Sequence, residues 1–300
     1  MRVRHRLGRT LSRLGFNRGF VVRRLIRLGS PRLWELERNA HERPLDRALL
    51  GPPLRWLQRG DLVVLYGLGG GLKLSMRWLP ISHAHLGSIA FGNLEPSVQE
   101  AMLRHLPRGG VFYDVGANLG FFALLGAAMV GPEGRVIAFE PAPDNADAVR
   151  HNAGLNKLPQ VEVVEKAVAE RTGQARLQVV DDQSWSKLED YGEHPGTEEV
   201  ITVGVIALDD ALADGALPPP DVVKIDVEGA EIAVLQGMAR TLAEHRPAII
   251  CELHDTHREF AEHMRAAGYR VVNLEGPGPV EDDAAPSAHA LALPPDHPGD

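Results

Sequence analysis

The sequence predicts an α/β fold, with a mostly parallel sheet covered by helices on both faces. Three observations predict it. From residue 96 onward, short apolar runs bounded by turn residues alternate with segments of helical length. The decapeptide VFYDVGANLG at 111–120 joins one such run to the apolar stretch Phe121–Val130 through Gly116, Asn118 and Gly120. The next apolar run, Arg135–Phe139, ends in Glu140, twenty residues past Gly120.

Glycine suits the 116–120 turn because a side chain would oppose positive φ and keep a ligand off the backbone. The free N–H groups at the helix start attract acceptor atoms. An acid at the distance of Glu140 is placed to accept hydrogen bonds from both ribose hydroxyls of a nucleoside. The pattern is not the GxGxxG of dinucleotide binders, since Asn118 replaces a glycine and the loop is less suited to a pyrophosphate. Asp114 at the strand end favours a ligand bearing donors or positive charge. S-adenosylmethionine, a nucleoside with a cationic amino-acid arm, fits these features better than NAD.

Three hundred residues, 44% apolar and only 5% aromatic, suffice for one large domain with an extension. The single cysteine, Cys251, lies in an apolar run, so no disulfide framework or zinc pattern is present and a reducing compartment is expected. No apolar run is long enough to span a bilayer or follows the basic start as a signal peptide would, which predicts a soluble, cytoplasmic protein. Residues 1–60 hold 15 Arg against 4 acids, while the remainder is acidic, giving −8 for the whole chain. A basic helical arm thus precedes an acidic domain.

In the arm, Leu14, Val21, Leu25 and Leu28 share one helical face, and Arg13, Arg23, Arg24 and Arg27 fall mostly elsewhere. Packing on its own domain is the first reading of this helix, and peripheral contact with the inner membrane surface the second. Residues 61–91 read as a hairpin-like linker, with strands at Leu62–Tyr66 and Leu72–Leu79. The main domain is expected over 92–293, beginning with a turn at Gly92–Pro96 and a helix, Pro96–Leu106, that covers the ligand pocket from the side.

After Glu140 a helix runs to Asn156, and Val161–Val164 forms a third strand. Its end, Glu165 to Ala167, lies beside the base, where Glu165 either meets the adenine amine or is simply a solvated acid. Arg176–Val180 and Val200–Ile206 alternate as antiparallel strands, and the long loop between them carries Ser184, Trp185, Ser186 and Lys187. Trp185 either anchors that loop or stacks on a sugar or aromatic acceptor. Leu208–Leu212 opens a short helix. Asp221–Asp226 is a strand, Ile232–His245 a helix, Ala248–Leu253 a strand, Thr256–Ala267 a helix and Tyr269–Leu274 a strand. Glu275–Ser287 reads as a loop, and Ala288–Leu293 as an antiparallel last strand completing a sheet of seven. Residues 294–300 read as a disordered tail.

DVGANLG at 114–120, FEPAPDN at 139–145, LDD at 208–210, VKIDVEGAE at 223–231 and ICEL at 250–253, in this order, resemble the FkbM family of S-adenosylmethionine-dependent methyltransferases. The likeness covers about Gly92 to Leu293. It implies a class I methyltransferase, Rossmann-like fold and O-methylation of a hydroxyl on a sugar, glycolipid or secondary metabolite. By position, Asp114, Gly116, Ala117, Asn118 and Gly120 hold the methionine end of the cofactor and Glu140 the ribose, with Asn145 supporting that turn. Lys166, where many methyltransferases place an acid, and Ala207, in place of Thr before LDD, depart from the pattern.

Methyl transfer requires the acceptor oxygen to be aligned with methyl and sulfur, and its proton to be removed. Lys224 and Asp226 share one side of a strand, as do Glu252 and His254 on the strand expected beside it. Asp226 is the first candidate for base or orienting group and His254 the second. Lys224 is expected to pair with Asp226 or Glu252, and Glu228 and Glu231 to favour a helix N-terminus. Asp226, Glu228, Glu252 and His254 are ligand types that suit Mg²⁺ or Mn²⁺, although spacing alone does not favour a metal site over a metal-free one. Two other classes remain open: a nicotinamide-dependent oxidoreductase, and a non-catalytic cofactor-binding scaffold. A specific nucleic-acid partner is not expected, because the acidic domain repels phosphates.

Overall fold

A computed structural model describes residues 60–79, 85–180, 186–192 and 197–297. The basic helix of the arm and Trp185 lie outside the described residues. The chain divides into two compact units, Met1–Leu94 and Glu95–Asp300.

In the first unit, β1 (Asp61–Val63) and β2 (Lys73–Ser75) pair antiparallel, with Leu62 opposite Leu74. The strands are shorter than expected: the glycine-rich stretch between them folds into turns, and a further turn over 76–79 ends β2 at Ser75. The helix α1 (Leu86–Phe91) ends on Gly92 at φ 70°, whose N–H returns to Ile89. Gly92 therefore closes the first unit.

The second unit holds α2 (Pro96–His105), β3 (Val111–Val115), α3 (Phe121–Val130), β4 (Arg135–Phe139), α4 (Pro143–Asn156) and β5 (Val161–Val164). Next come β6 (Ala167–Val168), β7 (Gly173–Val180), β8 (Lys187–Leu188), β9 (Thr197–Ile206) and α5 (Leu208–Ala213). The chain continues through β10 (Val222–Ile225), α6 (Glu231–Gln236), α7 (Ala239–Glu244), β11 (Ala248–His254), α8 (His257–Ala266), β12 (Arg270–Asn273) and β13 (Ser287–Leu293).

Seven strands form one sheet in the order β12-β13-β11-β10-β3-β4-β5, parallel except for β13, which is antiparallel to both neighbours. This is the expected class I methyltransferase architecture. One face carries Tyr113, Ile137, Val223 and Ile249 against Val234, Leu235, Phe260 and Met264. From β3 the chain builds outward to β4 and β5 and then returns to lay β10 on the other side of β3. In open α/β sheets such a reversal opens a crevice beyond the carboxyl ends of the strands. A smaller sheet, β6-β9-β7-β8, follows β5.

Three expectations change. The helix expected over Ile232–His245 is two helices. At the break an added Cβ on Gly237 would stand 2.1 Å from the Ala169 carbonyl oxygen, so another segment passes too close for a continuous side-chain surface. The second helix is started by Asp209, whose carboxylate accepts the Arg240 and Thr241 N–H groups (2.8 Å each) and the Thr241 hydroxyl (2.6 Å). The helix expected to cover the ligand pocket, α2, instead packs on β11 and β13. The tail is in place as far as His297, whose N–H bonds Pro294 and whose ring lies 4.9 Å from that of His105. Among the described residues, no helix is long and apolar enough to cross a membrane.

Because Asp209 supplies the cap of α7 from a distant position, Asp209→Ala is expected to cost about 1–2 kcal/mol and Asp209→Asn much less. Urea unfolding measures both, and an unchanged midpoint for the alanine variant would refute the capping role.

Candidate active site

The loop after β3 is held on both sides. Gly116 (φ 83°) and Ala117 donate their N–H groups to the Phe139 carbonyl at 3.0 Å each. An added Cβ on Gly116 would lie 1.8 Å from the Asp226 carbonyl oxygen, so only glycine lets the loop cross the end of β10. Asn118 has φ 49°, and asparagine is the residue that tolerates this conformation best after glycine. Its N–H donates to Glu140 Oε2 at 2.7 Å, and the Ala142 N–H to Glu140 Oε1 at 3.0 Å. Gly120 (φ 86°) begins α3, with Val149 close against it.

A solvent-open cleft lies against this loop. Of the expected cofactor residues, Gly116, Asn118, Glu140 and Ala167 line it, together with Lys166, Lys187, Leu188, Asp226 and Glu228. Asp114, Ala117, Gly120 and Asn145 stand behind that surface. Glu165 is not among the lining residues: its exposed carboxylate pairs with Arg150 at 2.9 Å, which favours the solvated reading of this acid over the adenine contact. Ala167, Leu177, Lys187 and Leu188 of the smaller sheet line the cleft beyond Glu140, and the sequence did not place that sheet over the cleft.

The loop region is rich in unsatisfied acceptors. Asn118 Oδ1 and the fully buried Asp114 carboxylate lack a strong hydrogen-bond partner within the protein, the Ala123 backbone N–H being the donor nearest Asp114. Burial pushes the Asp114 carboxyl up to about 6, an effect the facing Lys224 partly offsets. Burial likewise raises Glu140 to about 7, against the pull of the Ala142 and Asn118 N–H groups. A ligand bearing hydroxyl donors and an ammonium suits Asn118 and Glu140, which line the cleft, and the negative charge of Asp114 beneath them. S-adenosylmethionine therefore fits the residues present.

Across the strand ends lies a cluster of charged groups. Lys224, on β10 in register with Asp114, is buried and its Nζ lies 2.9 Å from Asp226 Oδ2. Burial raises Asp226, and Lys224 pulls it back. His254 Nδ1 donates to Oε1 of the fully buried Glu231 at 2.9 Å, while its Nε2 faces Glu228 and Glu252 at 3.6 Å each. Burial disfavours the charged ring, but Glu231, Glu228 and Asp226 outweigh it and hold His254 up to about 9. Glu252 also faces His289, and despite burial that histidine draws it well below the usual carboxylate range. The ligand atoms of Asp226, Glu252 and His254 all lie within 4.8 Å of one another, close enough to hold a cation.

Glu231 exceeds its expected part as a favourable charge at a helix start. It accepts from His254, from the Thr256 hydroxyl (3.0 Å) and from the Gly229 N–H (2.8 Å). Glu95 and His289 were missed altogether, and no local motif marks them.

A sheet that reverses at β3 and β10, with a glycine loop, an acid after β4 and an acidic cluster beyond the reversal, defines a class I methyltransferase. The Methyltransferase FkbM domain model matches residues 114–271. The chain belongs to the FkbM methyltransferase family, whose cofactor is S-adenosylmethionine, and the nicotinamide reading falls away. It is 30% identical to the hexuronic acid methyltransferase AglP of Haloferax volcanii, over 53% of this chain and 62% of that protein. It is 28% identical to the 31-O-demethyl-FK506 methyltransferase FkbM of Streptomyces tacrolimicus, over 66% of this chain and 88% of that one. The crystal structure of methyltransferase FkbM from Methylobacillus flagellatus aligns at a TM-score of 0.42 with 19% identity, over 61% of this chain and 43% of that one.

With Glu140 raised to about 7, its carboxylate is mostly protonated at pH 6 and mostly ionised at pH 8. Calorimetry should therefore show S-adenosylhomocysteine binding more tightly as pH rises through 7. In Glu140→Gln the binding should be about ten-fold weaker and flatter with pH. A pH slope that persists in the variant would take the ribose role from Glu140.

Proposed function

We propose that the protein transfers a methyl group to a hydroxyl oxygen of a sugar, glycolipid or secondary metabolite. The observation that carries this is the double position of Asp226. Its backbone abuts the cofactor loop at Gly116, and its carboxylate belongs to the cluster with Lys224, Glu252 and His254. One residue thus links the donor cleft to a proton acceptor.

When bound, S-adenosylmethionine supplies an electrophilic methyl on a positively charged sulfur. The 116–118 loop and Glu140 hold the nucleoside and its arm. Asp226 orients the acceptor hydroxyl and takes its proton, and Lys224, bonded to that carboxylate, offsets part of the burial that raises it. His254, held charged by its carboxylate neighbours, donates an N–H to an acceptor oxygen, so the base role passes to Asp226. The names of the two relatives, one acting on a hexuronic acid and one on a demethylated oxygen of FK506, support an oxygen acceptor.

The test is incubation of the full chain with methyl-labelled cofactor and a panel of glycans, glycolipids and metabolite extracts. Label should appear on a hydroxyl. Asp226→Asn should lower kcat by about 10²–10⁴ and leave S-adenosylhomocysteine affinity within about three-fold. Label found only on amine nitrogen would overturn the reading, and a fully active variant would remove Asp226 from the mechanism.

A further inference from the structure

The antiparallel return of β13 places His289 opposite Glu252 of β11. Glu95, just before α2, reaches the same point. His289 Nε2 lies 3.2 Å from Glu95 Oε2 and 3.6 Å from Glu252 Oε2. We propose that Glu95, Glu252 and His289 form a binding site for a divalent transition-metal cation. The proposal goes beyond methyl transfer and stands without it.

The three ligand atoms lie within 4.8 Å of one another. Cation–ligand bonds of about 2.1 Å give neighbouring ligand atoms roughly 3.0–3.4 Å apart, close to the 3.2 and 3.6 Å from His289 to Glu95 and Glu252. On the far side of the ring, His289 Nδ1 lies 2.6 Å from Glu275 Oε1. A carboxylate behind an imidazole fixes the tautomer whose other nitrogen offers its lone pair, which is the usual support of a metal-bound histidine.

The carboxylates around the ring form an ion-pair network whose centre a cation can occupy in place of the ring proton. His289 Nε2 and Glu95 Oε2 are both shielded from solvent and only 3.2 Å apart. Glu95 occupies the cap position of α2 but makes no side-chain cap bond, so the helix start does not explain where its carboxylate points. Three carboxylates, Glu95, Glu252 and Glu275, surround one ring. A charged imidazole offsets only one of those negative charges, whereas a divalent cation offsets two. One imidazole with two carboxylates suits Mn²⁺, Fe²⁺, Co²⁺ or Zn²⁺ better than Ca²⁺ or Mg²⁺. Glu252 is shared, its other oxygen facing His254, so an ion here would sit one carboxylate away from the acceptor cluster.

The probe is Co²⁺, added to chelator-treated full-length protein and followed by visible ligand-field absorption and by bound metal per chain. The wild type should show a ligand-field band that saturates. Glu95→Gln and His289→Ala should each weaken that binding at least ten-fold, and Glu275→Gln should weaken it by about 10–100-fold. Asp226→Asn should leave it within about three-fold. Should His289→Ala fail to fold by circular dichroism, Glu95→Gln and Glu275→Gln still decide. Absence of any band, or equal binding in wild type and Glu95→Gln, would overturn the proposal. So would loss on Asp226→Asn with retention in His289→Ala, which would move the cation to the Asp226, Glu252 and His254 group.

Discussion

The site depends on one close approach, the crossing of the Gly116 backbone over the carbonyl of Asp226, where a single added carbon would stand 1.8 Å from oxygen. The two strands that meet there, β3 and β10, are sequence-distant neighbours at the point where the sheet order reverses. Their register, Asp114 to Lys224 and Val115 to Ile225, delivers both turns to the same height. The loop that would cradle the cofactor and the residue that would take the acceptor proton therefore form one rigid unit. Methyl transfer has a strict linear geometry, and a fixed relation between these two groups is what it requires.

Around that contact the protein buries more charge than stability alone would select. Asp114, Lys224 and Glu231 are all enclosed, and buried ion pairs seldom repay their loss of hydration. Their arrangement serves the site instead. Lys224 faces Asp114 in register and bonds Asp226. Glu231 holds His254 by one nitrogen and leaves the other toward Glu228 and Glu252. The result is a region dense in negative charge, suited to a positively charged donor and shielded enough from water for each charge to be felt strongly.

Much of this was legible in the sequence because it is local. Val111–Val115, Phe121–Val130, Arg135–Phe139 and Val161–Val164 carry their boundaries in their own apolar runs and flanking turn residues, and the structure keeps each of them. Asn118 was legible as a glycine substitute, and its positive φ gives the reason. What was not legible depends on residues far apart in the chain. The helix after Glu231 breaks where Asp209 caps its second half and the segment at Ala169 presses on Gly237. Glu165 and Ala167 are two residues apart, yet Arg150 draws the first outward while the second faces the cleft. Glu95 and His289 meet only because α2 packs on β11 and β13, and no spacing within a motif announces that.

The central claim is that the loop and Glu140 form a site for a charged nucleoside rather than a dinucleotide. Parallel calorimetric titrations of the full chain with S-adenosylhomocysteine and with NADH test it most directly. The account predicts a single saturable site for S-adenosylhomocysteine and no heat of binding for NADH. Saturable binding of NADH, with none of S-adenosylhomocysteine up to millimolar concentration, would contradict it.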